Sequence, residues 1–280
     1  MTLSVVIITF NEEHNLPRTL ESVKWADEIV VVDSCSTDRT VEIAKSYGAK
    51  VWVEPWKGFA AQKNSALEKA SCDWILSLDA DEEVSAELGG EIRWVLSSME
   101  EWSKNGMPVD NDTSAKELRD RGLRYGFDED DLNGYFIPRR NYFLGRFIRH
   151  GGFYPDAKLR LFRRGAAKFE ARLVHEDAQL NGVDGTLKAD LLHHAYPTLS
   201  GYIEHMNRYS SLSAEMTKQK GKSGFSFVNI VARPMLTFGY NYVFRLGFLD
   251  GREGLLLHLY HAAYVSWKYA KLWELSKKPH

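Results

Sequence analysis

The stretch Trp74-Ile-Leu-Ser-Leu-Asp79-Ala-Asp81-Glu82 decides how this chain folds, because an apolar, strand-like run ends in two carboxylates separated by one residue. In an open parallel sheet, ligands collect at the carboxyl ends of the strands. Carboxylate oxygens at that edge suit a hard divalent cation that bridges to phosphate. The same pattern also occurs as two solvated loop carboxylates, so the rest of the sequence has to decide between the two interpretations.

Strand-like and helical patterns alternate upstream of this stretch. Leu3–Thr9 and Glu28–Val32 are β-branched runs typical of strands buried on both faces. The remaining strand patterns cover residues 50–53, 74–78, 135–138 and 158–162, and the helical patterns cover 16–25, 40–47, 59–70 and 87–102. This spacing predicts an α/β fold with a doubly wound sheet.

The loop after the first strand, Phe10–Asn15, contains no glycine. A dinucleotide site needs Gly-x-Gly-x-x-Gly there, so that a pyrophosphate can lie on the following helix N-terminus. We therefore expect a metal held by Asp81 to neutralise phosphate charge instead. Because parallel strands end at one edge of the sheet, Asp33 is expected to line the same crevice as Asp79 and Asp81.

Three blocks in order resemble glycosyltransferase family 2: Ser4-Val-Val-Ile-Ile-Thr-Phe-Asn-Glu-Glu13, Ile29-Val-Val-Val-Asp-Ser-Cys-Ser-Thr-Asp-Arg-Thr40 and Leu78–Glu82. The resemblance implies the GT-A fold, a Rossmann-like mixed sheet. Later motifs resemble the lipopolysaccharide inner-core β-glucosyltransferase subgroup; they lie at 138–152, 158–165, 173–176, 196–197 and 207–210. Residues 103–134 are a longer insertion than this subgroup leads us to expect.

The resemblance implies a binding site for a UDP-sugar donor. The matching positions that would contact the nucleotide sugar are Thr9, Asn11, Glu12, Asp33, Lys63 and Asp79. Within this set, Asp33 would meet the uracil ring and Asp79 the ribose or the sugar. The alternative for Lys63 is an ordinary lysine on a helix surface.

The resemblance also implies a metal cofactor, Mg²⁺ or Mn²⁺, held by Asp81 against the diphosphate. Such an ion acts as a Lewis acid on the departing UDP. His193 follows an apolar run and is a candidate further ligand, whereas a histidine beside a strand more often has a structural role.

An inverting transfer needs a base within hydrogen-bond reach of the acceptor hydroxyl. Glu176 is our candidate and His175 the competing one, since an imidazole titrates near neutrality. The alternative for Glu176 is a solvated turn. Arg149, His150 and Arg160 are expected to contact an anionic acceptor through charge-assisted hydrogen bonds. Ordinary surface charge is the alternative for the arginines.

Charged residues are distributed unevenly along the chain. Residues 1–205 carry 25 Lys+Arg and 34 Asp+Glu, whereas residues 206–280 carry 11 and 4. We expect a GT-A catalytic domain over 1–200, with a nucleotide-binding half at 1–90 and an acceptor half at 135–200. A basic helical extension over 201–280, interrupted near 221–224, Pro234 and Gly251, would follow.

The extension is rich in aromatic residues. On one helical side it carries Tyr260, Tyr264, Trp267 and Lys268, a composition that suits the headgroup layer of an anionic membrane. Packing on the catalytic domain is the alternative. No nucleic-acid partner is expected, because the basic segment lacks a recognition motif. The N-terminus lacks the pattern of a signal peptide, so we expect a cytoplasmic enzyme with peripheral contact to the inner membrane face.

The sequence favours a metal-dependent inverting hexosyltransferase, moving glucose from UDP-glucose to a heptose of lipopolysaccharide core or a similar lipid-linked oligosaccharide. One rival is a family 2 transferase with another nucleotide sugar and a protein or polyprenyl acceptor. Another rival is a non-catalytic protein that binds sugar nucleotides, which would have no need of a base such as Glu176.

Overall fold

The computed structural model describes residues 1–105, 132–170, 178–221 and 225–277 of the 280-residue chain. These residues form two compact units. The first contains the described residues of Met1–Arg139, Ala157–Arg172 and Glu176–His193, and the second those of Arg140–Asp156 and His194–His280. Most of the predicted insertion at 103–134 lies outside the described residues.

Strands and helices alternate through the first 105 residues as the sequence predicts, except for a short additional strand at Glu82–Val84 that it did not predict. The strands are β1 (Leu3–Thr9), β2 (Glu28–Asp33), β3 (Lys50–Val53), β4 (Trp74–Asp79), β5 (Glu82–Val84), β6 (Leu132–Ile137), β7 (Arg139–Phe143), β8 (Arg146–Phe147), β9 (Lys158–Arg163), β10 (Ala167–Phe169), β11 (Ala178–Leu180), β12 (Val183–Thr186) and β13 (Leu191–Tyr196). The α-helices are α1 (Leu16–Val23), α2 (Thr40–Ser46), α3 (Phe59–Lys69), α4 (Ala86–Asn105), α5 (Leu199–Gln219), α6 (Arg233–Phe238) and α7 (Gly251–Lys277).

The first unit is built on one mixed sheet with the strand order β12-β6-β9-β4-β1-β2-β3. Strands β3, β2, β1 and β4 are parallel neighbours. Strand β9 runs antiparallel between β4 and β6. The predicted α/β fold with a mixed sheet is therefore confirmed.

Apolar side chains alternate between the two faces of this sheet. In β1, Val5 and Ile7 belong to one buried cluster with helices α1 and α4, whereas Val6 belongs to a second cluster with helix α3. This alternation follows from the period of two in a strand. Both faces are covered by helices, so the central strands read as continuous apolar runs and the sheet is doubly wound.

The carboxylate of Glu28 is buried at the start of β2 and accepts hydrogen bonds from Lys50 Nζ (2.6 Å) and from Ser71 N (2.8 Å), as well as from Ser4. Burial opposes ionisation of Glu28, but these donors outweigh it and lower its pKa from 4.5 to about 2. The ionised carboxylate therefore stabilises the folded state.

We expect Glu28→Gln to lower the free energy of unfolding at pH 7 by about 3 kcal/mol, which is what a pKa depressed by this amount implies. A depressed carboxyl pKa stabilises the protein above the unfolded-state pKa, and this contribution is lost as the pH falls from about 5 toward 2. Urea unfolding of both proteins at several pH values measures the difference. Glu68→Gln, at an exposed position of α3, is the matched control. A difference in unfolding free energy between Glu28→Gln and the natural protein that does not change with pH would contradict the prediction.

The second unit contains the hairpin β7–β8 and the C-terminal helices. The hairpin turns at Leu144 and Gly145, which both have positive φ values of 51° and 81° as a two-residue turn requires. Its core joins Phe143 to Tyr202 of α5 and Leu257 of α7. Helices α5 and α7 also pair through a hydrogen bond of 3.0 Å between the Ser213 and Tyr264 hydroxyls.

The C-terminal segment differs from the sequence prediction in two ways. The predicted break at Pro234 is absent, because wide helical turns at Val228–Ala232 run directly into α6 and again into wide turns at Gly239–Phe244. Wide turns accommodate a proline within a helix, because the proline nitrogen has no hydrogen to donate to the backbone. Tyr260 and Tyr264 are half-buried rather than exposed. Among the described residues, no helix is both long and apolar enough to span a bilayer.

Candidate active site

The carboxyl ends of three parallel strands bring polar side chains to one edge of the sheet. Thr9 at the end of β1 lies opposite Asp33 at the end of β2. On its other side, Ile8 of β1 lies opposite Asp79 at the end of β4. Register alone therefore brings residues from three distant parts of the sequence to the crevice that the motifs predict.

Asp33 is fully buried and shapes the loop that follows β2. Its carboxylate accepts hydrogen bonds from Thr9 Oγ1 (2.9 Å) and from Ser36 N (2.8 Å). Thr9 is buried beside it. Both residues, which were predicted to bind the sugar donor, thus lie buried at the carboxyl ends of β1 and β2, where Asp33 holds the loop after β2 against the end of β1.

Asn11 joins the same two loops from the other side. Its φ of 55° is left-handed, a conformation that asparagine adopts more easily than most residues. Asn11 N donates to Ser36 Oγ at 2.8 Å, and Thr37 N donates to Asn11 Oδ1 at 2.9 Å. The next residue, Glu12, donates its backbone N–H to Thr40 Oγ1 at 2.8 Å. The glycine-free loop is therefore held by asparagine and hydroxyl side chains.

Asp79 lies between two cations. Lys63 Nζ is 2.7 Å from Asp79 Oδ1, and Arg160 Nη2 is 2.6 Å from Asp79 Oδ2. Burial opposes ionisation of Asp79, but the charges of Arg160 and Lys63 hold its pKa well below the usual range. Lys63 is buried, so it is not the exposed helix-surface lysine that was the alternative. Asp79 keeps 30% of its side chain exposed, so part of its carboxylate can be reached from solvent.

Glu82 is the residue that sequence reasoning missed. Its side chain is fully buried and accepts hydrogen bonds from Arg160 Nη2 (2.6 Å), Arg139 Nη1 (3.0 Å) and the backbone N–H of Asp79 (2.9 Å). It therefore holds the turn that carries both aspartates. A signal was present in the sequence: Glu82 and Val84 share one face of a short strand, so an inward carboxylate there requires a buried cationic partner.

Asp81 faces His193. Strand β13 runs antiparallel to β5 and pairs His193 with Glu82, which brings the imidazole Nε2 to 3.5 Å from Asp81 Oδ2. Burial disfavours the charged imidazole, yet the Asp81 carboxylate raises the pKa of His193. Burial likewise opposes ionisation of Asp81, and His193 lowers its pKa. The two predicted metal ligands thus lie beside each other at this edge of the sheet.

The charges around Asp81 fit a divalent cation. Burial raises the pKa of Glu12, a hydrogen bond from Asn15 opposes that rise, and repulsion by Asp81, Asp38 and Asp79 adds to it. A cation beside Asp81 would relieve this repulsion. Asp81 and His193, 3.5 Å apart, would be near enough to hold the same ion. Within the described ranges, no three His, Cys, Asp or Glu side chains are grouped as a complete metal site.

The remaining predicted site residues lie elsewhere or outside the described residues. Glu176 and His175 fall in the segment 171–177, outside the described residues. Arg149 and His150 belong to the second unit, where the His150 backbone N–H donates to Asp250 Oδ2 (2.8 Å) and its Nδ1 lies 2.9 Å from Asp250 Oδ1. Arg160 lies in the first unit on Asp79 and Glu82, so its role as an acceptor contact stays a prediction.

Sequence comparisons place this architecture among known enzymes. The model of the family described as Glycosyl transferase family 2 matches residues 4–97. The chain is 30% identical over 282 residues to the lipopolysaccharide core biosynthesis glycosyltransferase LpsC of Rhizobium meliloti, covering 98% of this chain and 93% of LpsC. It is also 30% identical over 285 residues to an uncharacterized glycosyltransferase of Rickettsia typhi, covering 99% of this chain and 88% of the relative.

A solved structure shares the fold. The mannosyltransferase PcManGT from Pyrobaculum calidifontis, in complex with GDP-Man and Mn²⁺, matches with a TM-score of 0.52 at 16% identity, covering 99% of this chain and 88% of that one. The fold is therefore GT-A. Because relatives 30% identical extend over nearly its whole length, the chain belongs to glycosyltransferase family 2.

Proposed function

We propose that the protein transfers a hexose, glucose from UDP-glucose, with inversion onto a heptose of lipopolysaccharide core or a similar lipid-linked glycan. One observation carries the proposal: Asp81 and His193 face each other beside the ion-paired Asp79, at the edge where three parallel strands end. The lipopolysaccharide core relative, which matches over almost the whole chain, supports the acceptor class.

The donor would lie against the loops after β1 and β2. Thr9, Asn11 and Glu12 are proposed to contact the nucleoside, and Asp33 the uracil ring. Support comes from the shared hydrogen bonds that hold these loops against each other. Lys63, which now neutralises Asp79, would also face the anionic nucleotide.

Asp81 and His193 would hold Mg²⁺ or Mn²⁺ against the diphosphate. The ion supplies Lewis acidity that stabilises the charge growing on the departing nucleoside diphosphate. Asp79, whose pKa is held low by Arg160 and Lys63, stays ionised throughout and can accept hydrogen bonds from the ribose or sugar hydroxyls. Arg160 and Lys63 keep their positions because they also balance the charge of Asp79.

The base would take the proton from the acceptor hydroxyl on the side opposite to the leaving group. Glu176 is our candidate and His175 the alternative, both from the sequence motif. A single displacement of this kind inverts the anomeric carbon, so an α-linked donor gives a β-linked product. Arg149, His150 and Arg160 are proposed contacts for an anionic acceptor, and a lipid anchor on that acceptor requires the enzyme to work peripherally at a membrane surface.

A donor screen tests this function. We expect slow release of UDP from UDP-glucose when Mg²⁺ or Mn²⁺ is present, and little release after chelation of the metal. GDP- and dTDP-sugars should react more slowly, by about tenfold or more, because their nucleobases would make different contacts with the protein. In Glu176→Ala, hydrolysis should survive only weakly, since general base catalysis is typically worth about 10²–10⁴-fold. Release that is equal with and without metal would contradict the metal-dependent mechanism.

A further inference from the structure

The second unit exposes apolar side chains along one side of a single helical segment. We define this apolar stripe as Val228, Val231, Met235, Leu236, Tyr240 and Phe244. Apart from the neighbours Met235 and Leu236, these residues follow one another at intervals of three or four, which places them on one broad side of the continuous helical run from Val228 to Phe244. Phe244 is 79% exposed, Leu236 71% and Met235 68%. Soluble proteins rarely expose such a contiguous apolar surface unless it meets a partner.

The opposite side of the segment is fixed on α7. Ser266 Oγ donates to the carbonyl of Ile230 at 3.0 Å, and Arg233 Nη1 lies 2.8 Å from the Tyr269 hydroxyl. Pro234 is buried. The apolar stripe is therefore not the inner face of a detached helix: the inner face is already packed, and the stripe is what remains outside.

The charge of the segment indicates what covers the stripe. Between residues 225 and 249 there are two arginines, Arg233 and Arg245, and no aspartate or glutamate. Arg245 lies over the ring of Tyr240, with its guanidinium carbon 5.8 Å from the ring centroid. Arginines interleaved with Phe, Met and Tyr suit the boundary of a lipid layer, where rings enter the apolar zone and guanidinium groups meet phosphates.

A second copy of the chain fits this surface less well. In a twofold dimer the same patch meets itself. The segment that carries the stripe, residues 225–249, contains arginine and no acid, so self-association would bring like charges together without a partner for them. An anionic lipid surface supplies both the apolar layer and the opposite charge.

We propose that the apolar stripe, with Arg245 beside it, is the surface by which this enzyme lies on an anionic lipid bilayer. The proposal rests on the proposed function to the extent that a lipid-linked acceptor needs such contact. It moves the contact away from Tyr260, Tyr264 and Trp267, which are half-buried in α7, to residues 228–245. The helical segment lies in the plane of the interface, with Leu236 and Phe244 entering the acyl boundary.

Vesicle flotation of the full chain tests the proposal. With vesicles of phosphatidylglycerol and phosphatidylethanolamine, we expect Leu236→Ser/Phe244→Ser to bind at least about tenfold more weakly than the natural protein, because two large apolar side chains no longer enter the lipid. The matched control is Val53→Ser/Trp56→Ser, which removes two apolar side chains of the first unit that are also exposed, by 56% and 48%, and should not change binding. The natural protein should also bind phosphatidylcholine vesicles less, and high salt should weaken its binding to the anionic ones.

Further variants and measurements distinguish loss of membrane contact from loss of folding and from loss of activity. Leu236→Met/Phe244→Leu keeps the apolar surface and should keep binding, which separates loss of contact from loss of fold. If the serine variant does not fold, Met235→Ser replaces it. UDP release from a soluble donor should be unchanged in Leu236→Ser/Phe244→Ser, so failure of the membrane proposal does not resemble failure of the proposed activity. Equal flotation of natural and serine proteins, or a lipid-free dimer by light scattering that the serine variant abolishes, would overturn the proposal.

Discussion

Asp81→Asn is expected to lower kcat for UDP release by about 10²–10³-fold, which corresponds to the loss of several kcal/mol of charge stabilisation by a bound cation. The substitution keeps the shape of the side chain and removes its charge. Asp81 is the carboxylate that faces His193, and its pKa is low, so it is ionised at neutral pH. Without it, one of the two proposed ligands no longer binds a divalent ion firmly.

Donor binding should suffer less than turnover. The interaction between a metal and the diphosphate strengthens as the glycosidic bond breaks, so its loss appears mainly in kcat. Steady-state kinetics over a range of Mn²⁺ concentrations, with calorimetric titration of UDP, separates the two effects. Glu83→Gln is the matched control, because Glu83 neighbours the motif but points to the other side of β5 from Glu82.

One specific result would contradict the assignment of Asp81 as a metal ligand. If Asp81→Asn turns over the donor at an unchanged rate with an unchanged metal requirement, Asp81 does not hold the cation, and the proposed site is wrong. If the rate falls and higher Mn²⁺ restores part of it, Asp81 contributes affinity for the ion. Loss of structure is excluded by comparing urea unfolding of the variant and the natural protein.

Glu82→Gln is expected to lower the free energy of unfolding by about 3–5 kcal/mol, the usual cost of removing one partner from a buried ion pair. The fully buried carboxylate contacts Arg160 and Arg139, and neither guanidinium has more than 12% of its side chain exposed. An amide in its place leaves uncompensated positive charge in the interior. The backbone N–H of Asp79 also loses a charged acceptor, so activity should fall as the turn with Asp79 and Asp81 relaxes.

A double-mutant cycle separates the pair from the individual residues. Glu82→Gln and Arg160→Met should each destabilise the protein, whereas the double variant should lose clearly less than the sum, because it removes both members of the Glu82–Arg160 pair rather than leaving either without the other. Chemical unfolding of the four proteins gives the coupling energy. An additive result, or a loss below about 1 kcal/mol for Glu82→Gln, would show that the network is not a coupled buried unit. Glu83→Gln again serves as the control, because the Glu83 carboxylate is only partly buried and lies near Arg18 rather than Arg160.

The difference between prediction and structure is clearest at particular residues. The crevice and the strands that end there followed from local patterns, because period-two apolar runs and their polar ends are encoded in short segments. Lys63 was left open between a surface lysine and a donor residue, and the structure places it on Asp79. Arg160 was predicted as an acceptor contact, and 81 residues of chain separate it from the aspartate that it contacts.

The C-terminal segment shows the same limit. Its basic and aromatic composition indicated a membrane surface, but the helical side named for that role is half-buried. Which side of a helix stays exposed depends on the partners that pack on it, and residues 228–244 and α5 both contact α7. Projection of one helix on a wheel contains no information about those partners.

By itself, the sequence determined the α/β class, the order and approximate bounds of the strands and helices in the first 105 residues other than β5, and the family. These depend on local periodicity and on short motifs, which act over a few residues. Only the tertiary structure decided that Glu82 holds the aspartate turn, that His193 faces Asp81 and that the exposed apolar stripe lies at 228–244. Buried charges choose partners by distance in space, so a carboxylate is paired by whichever distant strand the sheet register brings beside it.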